Sequence, residues 1–286
     1  MAEQVIETAT QFLQPENSGL CYAMVFVNKL RLQKPEELER AVKELTATGH
    51  TRIGYMTLSV PGKGPLVTRL DSIKAYARKF KVDFKSMLLA LSLADAMNQN
   101  MELQIDHHSG AVVSVDGNST FKGGKAEWNE QAAQRIFGSQ ALNAYTPVDR
   151  SAWEYAFLSG KLNLQPISLF VGSDTGRHIL LIEKVQNGRV YLIDSIDTKY
   201  EYFKSLFSSA RAEGTTSWSV SVEDLLDSGK IAYVIAPRDS FVSFRPLSEA
   251  IQHGLDDFCV IAHLMSEQEK ARLYLGKNKP VRRRSS

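Results

Sequence analysis

Cys21, His178 and Asp194 are the residues of this 286-residue chain whose types and settings could do chemistry. Cys21 follows Gln14-Pro15-Glu16-Asn17-Ser18-Gly19-Leu20, and Tyr22-Ala23-Met24-Val25 comes after it. Polar turn formers thus give way to a small, apolar run that predicts a helix start. The first backbone N–H groups of a helix lack intrahelical acceptors, and the positive end of its dipole lies there. Both favour a thiolate over a thiol, which is the form that attacks carbonyl carbon.

His178 and Asp194 stand sixteen residues apart in the sequence, on either side of Asn187-Gly188. That dipeptide favours a two-residue turn, because both of its residues tolerate positive φ. The flanking apolar runs predict a β-hairpin in which His178 opens the first strand and Asp194 closes the second. In an antiparallel pair these positions lie at the same end of one rigid element. Each residue also has a plainer role open to it. Cys21 could be a small buried hydrophobe, His178 a satisfied residue flanking a strand, and Asp194-Ser195 a strand terminator.

The order Cys, His, Asp, with the Cys opening an N-terminal helix after an upstream Gln, resembles the papain-like cysteine peptidase superfamily. Among its members, the bacteriocin-processing double-glycine peptidases and the cysteine-protease effectors injected by bacterial pathogens look closest. The segment Trp218-Ser219-Val220-Ser221 through Gly229, with the apolar Ile231 to Ala236 after it, is similar to the helix and strand that come after the acid in the first group. The resemblance spans residues of about 10 to 240. It implies an α/β (α+β) papain-like fold, with a helical N-terminal part carrying the Cys packed on an antiparallel sheet carrying the His and Asp. It further implies Cys21 as nucleophile, His178 as general base and Asp194 as the residue orienting the imidazole. Gln14, seven residues before Cys21, would donate with the Cys21 N–H to an oxyanion. Asn17 is the alternative amide and Gln11 a more distant one. Tyr22 and Ala23 match the aromatic and small residues that usually come after the nucleophile.

The activity so implied is a thiol hydrolase working through an acyl-enzyme, a cysteine peptidase acting on a protein or peptide. The same machinery aimed at a Gln side chain would be a deamidase or transglutaminase. A non-catalytic binding module keeping the fold is the rival reading, motivated by Glu16, an acid close enough to Cys21 to oppose ionisation. No cofactor and no metal are expected.

Composition sets outer bounds. With 43% hydrophobic and 23% charged residues and a net charge of +2, the chain reads as an ordinary globular protein with no overall preference for nucleic acid or membrane. No apolar run approaches the length of a membrane span. The opening Met1-Ala2-Glu3-Gln4-Val5-Ile6-Glu7 lacks the pattern of a secretory signal, so the expected location is cytoplasmic, or outside the cell as an effector exported without a Sec-type signal. Two cysteines far apart in sequence are not a disulfide framework.

Two parts are expected: a catalytic domain over 1–240 and a helical appendage with a basic tail over 241–286. In the first, Lys34-Pro35-Glu36-Glu37 opens a helix with Pro and acids in its first turn. Val60-Pro61-Gly62-Lys63-Gly64-Pro65 is a loop that lacks the ending of a phosphate-binding loop. Helical periodicity runs over 70–98, with Met87 to Ala94 apolar on nearly every side. A second hairpin is predicted at 101–116, helices at about 126–138 and 148–159, and a strand at Gln165 to Val171 leading into the His hairpin.

Other motifs offer less. Asp106-His107-His108 lacks further spaced ligands for a metal and reads as a strand cap at a turn. Cys259 and His263 are spaced four apart, which suits a metal pair on a helix, but read as buried filler. Trp128 and Trp153 read as core, and Trp218 either walls the cleft or packs. In the appendage, Arg245-Pro246 begins a helix, Ser266 to Glu269 is a helix start with the capping-box pattern, and Arg282-Arg283-Arg284 end a basic tail that could touch an acidic surface.

Overall fold

The computed structural model describes residues 12–15, 18–97, 103–114, 126–138, 142–147, 150–170, 177–196, 200–240 and 244–246. The fold is mixed helix and antiparallel sheet. Its first half is largely helical: α1 (Cys21–Gln33), α2 (Pro35–Thr48), the hairpin β1 (His50–Ile53) and β2 (Met56–Ser59), α3 (Leu66–Phe80) and α4 (Phe84–Met97). A second small hairpin, β3 (Leu103–Ile105) and β4 (Val112–Ser114), precedes α5 (Ala126–Phe137). The rest is built on an extended sheet: β5 (Leu142–Pro147), α6 (Arg150–Leu158), β6 (Gln165–Phe170), β7 (Arg177–Gln186), β8 (Arg189–Ile193), α7 (Tyr200–Leu206), β9 (Arg211–Ala212), β10 (Ser217–Ser221), α8 (Val222–Asp227), β11 (Ile231–Pro237) and β12 (Phe244–Pro246).

Local sequence explains the helices. Pro35 sits in the first turn of α2 with Glu36 and Glu37, and Gly49 closes it at φ 80°, its N–H reaching the Leu45 carbonyl. Leu38, Ala41, Val42 and Leu45, spaced three and four apart, are its buried face. The helical stretch expected over 70–98 is two helices, because Lys81 takes a left-handed conformation at the end of α3. α4 is buried almost all round and forms the centre of the helical layer.

Among the described residues eight strands form one sheet in the order β12-β5-β11-β6-β7-β8-β10-β9, every pair antiparallel. Its two faces carry separate cores. Ile179, Leu181 and Ile193 face the helical layer with Leu20, Met24 and Phe26, whereas Leu180, Ile182, Val190 and Leu192 face Trp153, Phe157, Phe203 and Trp218. α1 packs directly on β7, the strand that carries His178.

Arg245-Pro246, expected to begin a C-terminal helix, instead belong to the edge strand Phe244–Pro246 paired with β5, and the stretch after them lies outside the described residues. An edge is where a Pro lacking an N–H is tolerated. Gln11, Glu16, Asn17, Cys259, His263, the Ser266 capping box and Arg282-Arg283-Arg284 lie outside the described residues. Among the described residues no helix is long and apolar enough to cross a membrane.

Candidate active site

Cys21 is the first residue of α1, with Leu20 at the N-cap and no side chain capping the helix. Its N–H therefore has no intrahelical acceptor. The side chain is partly exposed, while Tyr22 to Leu30 behind it are buried. The nine-residue run that anchors the helix leaves its first residue reachable from solvent.

The hairpin forms as its sequence predicts, with Asn187 at φ 52° and Gly188 at φ 69°. Yet the turn alone would not bring His178 and Asp194 together. Near the turn Gln186 pairs with Arg189, Val185 with Val190 and Lys184 with Tyr191. Carried further, that register would set Asp194 opposite Leu181, on the face that His178 does not share. A bulge at Glu183 changes the count: beyond it Ile182 pairs with Leu192 and Leu181 with Ile193. The next position opposite Asp194 is then Leu180, two residues from His178 and on the same face. Diagonal neighbours of this kind lie about 7–8 Å apart, within reach of two polar side chains. His178 Nε2 and Asp194 Oδ1 meet at 2.6 Å.

Asp194 is held from several sides. Its backbone N–H donates to the Thr216 carbonyl at 2.8 Å, and Oδ1 also accepts from the Ile196 N–H at 2.9 Å. It is 2% exposed and His178 is 7% exposed, so the pair sits away from bulk water. Behind it Trp218 stacks on Phe203 with ring centroids 3.8 Å apart. Trp218 thus packs, and it shares with Asp194 the lining of a cavity of about 30 Å³.

With Nε2 committed to Asp194, the other ring nitrogen is the one left for sulfur. Cys21 hydrogen-bonds to His178, and the Ile179 N–H donates to the sulfur. Burial by itself pushes the Cys21 thiol up; the hydrogen bond and charge of His178, with the Ile179 N–H, outweigh it and hold the thiol below its ordinary value, against opposition from Asp194. Burial likewise pushes the His178 imidazolium down, but the Asp194 charge and hydrogen bond, and after them those of Cys21, raise it to about 10. Both shifts favour the thiolate–imidazolium form of the pair over the neutral one.

Gln14 is brought to this site by the backbone. Its N–H donates to the carbonyl of Ser195, the residue after Asp194, at 2.6 Å. Its side chain is 4% exposed, and Oε1 accepts from Ser18 Oγ at 3.2 Å. Ser18 Oγ in turn accepts from the N–H of Leu20, next to Cys21, at 3.3 Å. Gln14 Nε2 is buried and has no acceptor among the described residues. A buried donor left open in this way calls for a partner.

Sequence reasoning missed Ser18, Ser195 and Ile179, which act through backbone or bridging contacts, and the Glu183 bulge. Only the bulge left a trace, since Ile182 and Val185 share a core face although they are three residues apart. Asp106 closes its turn as expected, with Oδ1 accepting from the His108 N–H at 2.8 Å. His107 Nε2 lies 2.9 Å from Ser72 Oγ. Comparison with protein-family models, with curated proteins and with solved structures finds no match to this chain. Its chemistry has to be read from the atoms of the site.

Proposed function

We propose that the chain is a papain-like thiol hydrolase, a cysteine peptidase acting on a protein or peptide. The observation that carries this reading is that His178 is hydrogen-bonded both to Cys21 and, through Nε2, to Asp194. The Cys21 thiolate attacks a carbonyl carbon. The tetrahedral oxyanion accepts from the Cys21 N–H, which has no intrahelical acceptor, and from Gln14 Nε2, which has no acceptor among the described residues. As the C–N bond breaks, the His178 imidazolium gives its proton to the departing amine, leaving an acyl-enzyme thioester. Water, deprotonated by the now neutral imidazole, attacks the thioester and releases the acid and the thiolate. Asp194 keeps Nε2–H pointed toward itself throughout and stabilises the imidazolium each time it forms.

Selective alkylation tests this. Iodoacetamide at pH 6 should label Cys21 much faster than an ordinary thiol, with the two cysteines told apart by mass spectrometry of their peptides. His178→Ala should abolish that advantage. Cys21→Ala should stay folded and lose cleavage of an unfolded protein substrate, with ammonia release from Gln side chains measured beside it to catch a deamidase. Labelling of Cys21 at the rate of a free thiol in folded protein would leave a binding module that keeps the fold without the chemistry.

A further inference from the structure

Asp194 has an indole on one flank as well as an imidazole on the other. Beyond β8 the sheet continues to β10, where Trp218 pairs with Leu192 and Ser217 with Ile193. The next position, opposite Asp194, is Thr216, whose carbonyl accepts the Asp194 N–H. Trp218 lies two residues further on and so shares the face of the carboxylate. His178 stands to Asp194 in the same diagonal relation from β7. Diagonal neighbours of this kind lie about 7–8 Å apart, too far for a direct hydrogen bond unless both side chains lean together.

Trp218 carries a donor that its packing does not use. It is 4% exposed, and its ring stacks on Phe203 and Phe207 with centroids 3.8 and 5.8 Å away. Its Nε1 is buried and has no acceptor among the described residues. A Phe would stack as well without bringing a polar group into the core. Buried donors in folded proteins are almost always satisfied, by protein or by ordered water.

The cavity of about 30 Å³ is where such a water fits. Trp218 and Asp194 both line it, and Thr215, Thr216 and Ser217 add hydroxyls. Its volume is about that of one water molecule, which needs two to four polar partners. The lining reaches the surface at Ala212, Gly214 and Thr215, which are exposed, so solvent enters without unfolding. Asp194 is the one ionisable residue in the lining. An anion would be repelled by it, a cation would find a single carboxylate already bonded to His178 and Ile196, and an organic ligand would not fit.

We propose that one ordered water in this cavity accepts from Trp218 Nε1–H and donates to the Asp194 carboxylate, which makes Trp218 a positioning residue for Asp194. The catalytic consequence, though not the bridge itself, rests on the thiol-hydrolase reading. The carboxylate is 2% exposed and has lost most of its hydration, and a water-borne donor replaces part of it. With His178 and Ile196 bonded to Oδ1, a further donor from the β10 side holds the carboxylate plane toward the imidazole.

A crystal structure of the full chain that resolves ordered solvent tests the bridge, and the pH profile of Cys21 alkylation in Trp218→Phe tests what it does. One water should lie within about 3.2 Å of both Trp218 Nε1 and an Asp194 carboxylate oxygen. Phe keeps the stack on Phe203 and Phe207, so the variant should fold. At pH 8 its Cys21 should react within about twofold of the wild type. The acid limb of the profile should move up by about one pH unit, because the carboxylate charge is then supported by one donor fewer. A Trp218 that only packs would give an unchanged profile or one slowed equally at every pH. A wild-type structure in which no water contacts both atoms would overturn the proposal, and so would a folded Trp218→Phe protein whose profile keeps the wild-type shape. Wild-type Cys21 reacting as an ordinary thiol would instead refute the thiol-hydrolase reading, and the bridge would then be decided by the crystal structure alone.

Discussion

Replacing Asp194 by Asn removes one charge from a buried site and leaves its shape, so the consequence can be worked from the structure. The wild-type imidazolium is raised from its ordinary 6.5 to about 10, a preference of about 5 kcal/mol for the charged ring in a place where burial opposes it. Asp194 is the largest cause acting in that direction. Two unit charges about 4 Å apart at an effective dielectric of about 20 interact by about 4 kcal/mol, which is most of the preference. In Asp194→Asn, burial then has only the thiolate to oppose it, and the imidazolium returns toward its ordinary range. The thiolate loses its partner in turn. Asp194 also repels the thiolate directly, but that effect is the smallest acting on Cys21, so its relief does not compensate.

The assay is the rate of Cys21 alkylation by iodoacetamide across pH. In the wild type, rapid alkylation should persist down to the lowered value of Cys21, and the proposed amide cleavage, with the imidazolium as acid, should fail only as pH passes about 10. In Asp194→Asn, alkylation at pH 6 should fall at least about tenfold. The alkaline limb of cleavage should move toward neutrality. Some activity should remain, because an Asn carbonyl can still accept from His178 Nε2–H. Stability has the same sign. A raised imidazolium stabilises the fold fully below about 6.5 and loses that contribution as pH climbs through about 10, and the variant should lose most of this slope. A folded Asp194→Asn protein alkylated at pH 6 within about twofold of wild type would refute the claim that Asp194 sustains the ion pair.

Gln14→Ala should lower kcat about 10²–10³-fold on whichever amide is cleaved, with KM little changed. Alkylation of Cys21 should stay near the wild-type rate, because displacement at iodoacetamide forms no oxyanion; slowed alkylation would mean that Gln14 supports the thiolate instead. Lys29, 3% exposed, donates to Gln165 Oε1 at 2.8 Å, and burial pushes it down to about 8. Keeping it charged below pH 8 costs about 3 kcal/mol, a cost that fades as pH rises from about 8 to 10.5. Lys29→Met should therefore gain Tm at pH 7 and lose the gain by about pH 10, and a gain independent of pH would count against the charge as its source. Deleting Glu183 should leave the protein folded and Cys21 rapidly alkylated, because the pairs on either side, Ile182 with Leu192 and Lys184 with Tyr191, already face neighbouring residues of β8. A folded deletion variant with a slow thiol would show that the bulge does more than correct the register.

How much of this was legible in the sequence depends on what each inference needed. The helix starts of α1 and α2, the Asn187-Gly188 turn and the β3–β4 hairpin come from local chemistry, and the spacing of turn residues and apolar runs was enough to place them. The meeting of His178 with Asp194 was not local. Strand ends could be brought together from the turn alone, but sixteen residues across a regular two-residue turn give the wrong parity, and the two side chains would have pointed to opposite faces. The correction lies in Glu183, inside the run Ile179 to Val185, where an extra residue can be accommodated without a Gly or Pro to announce it. β12 was misread for a related reason. A Pro in a strand is acceptable only at an edge, and whether Phe244–Pro246 is an edge depends on a sheet order that no local pattern specifies.

The division of labour between the two layers explains why such a long chain is needed to hold three side chains. His178 and Asp194 belong to the sheet, where hydrogen bonds on both flanks fix β7 between β6 and β8. Cys21 belongs to the helical layer, and its position is set by the fit of α1 against β7, α4 and α2. A sheet face and a helix end can each be rigid while their relative placement drifts, and a thiolate–imidazolium pair loses its advantage with small displacements. The segment before α1 closes that gap. Gln14 bonds through its backbone to Ser195, beside Asp194, and through its side chain and Ser18 to Leu20, beside Cys21. One short stretch of backbone thus ties the layer that presents the sulfur to the strand end that presents the carboxylate. It leaves the Gln14 amide N–H₂ as the group with no acceptor among the described residues.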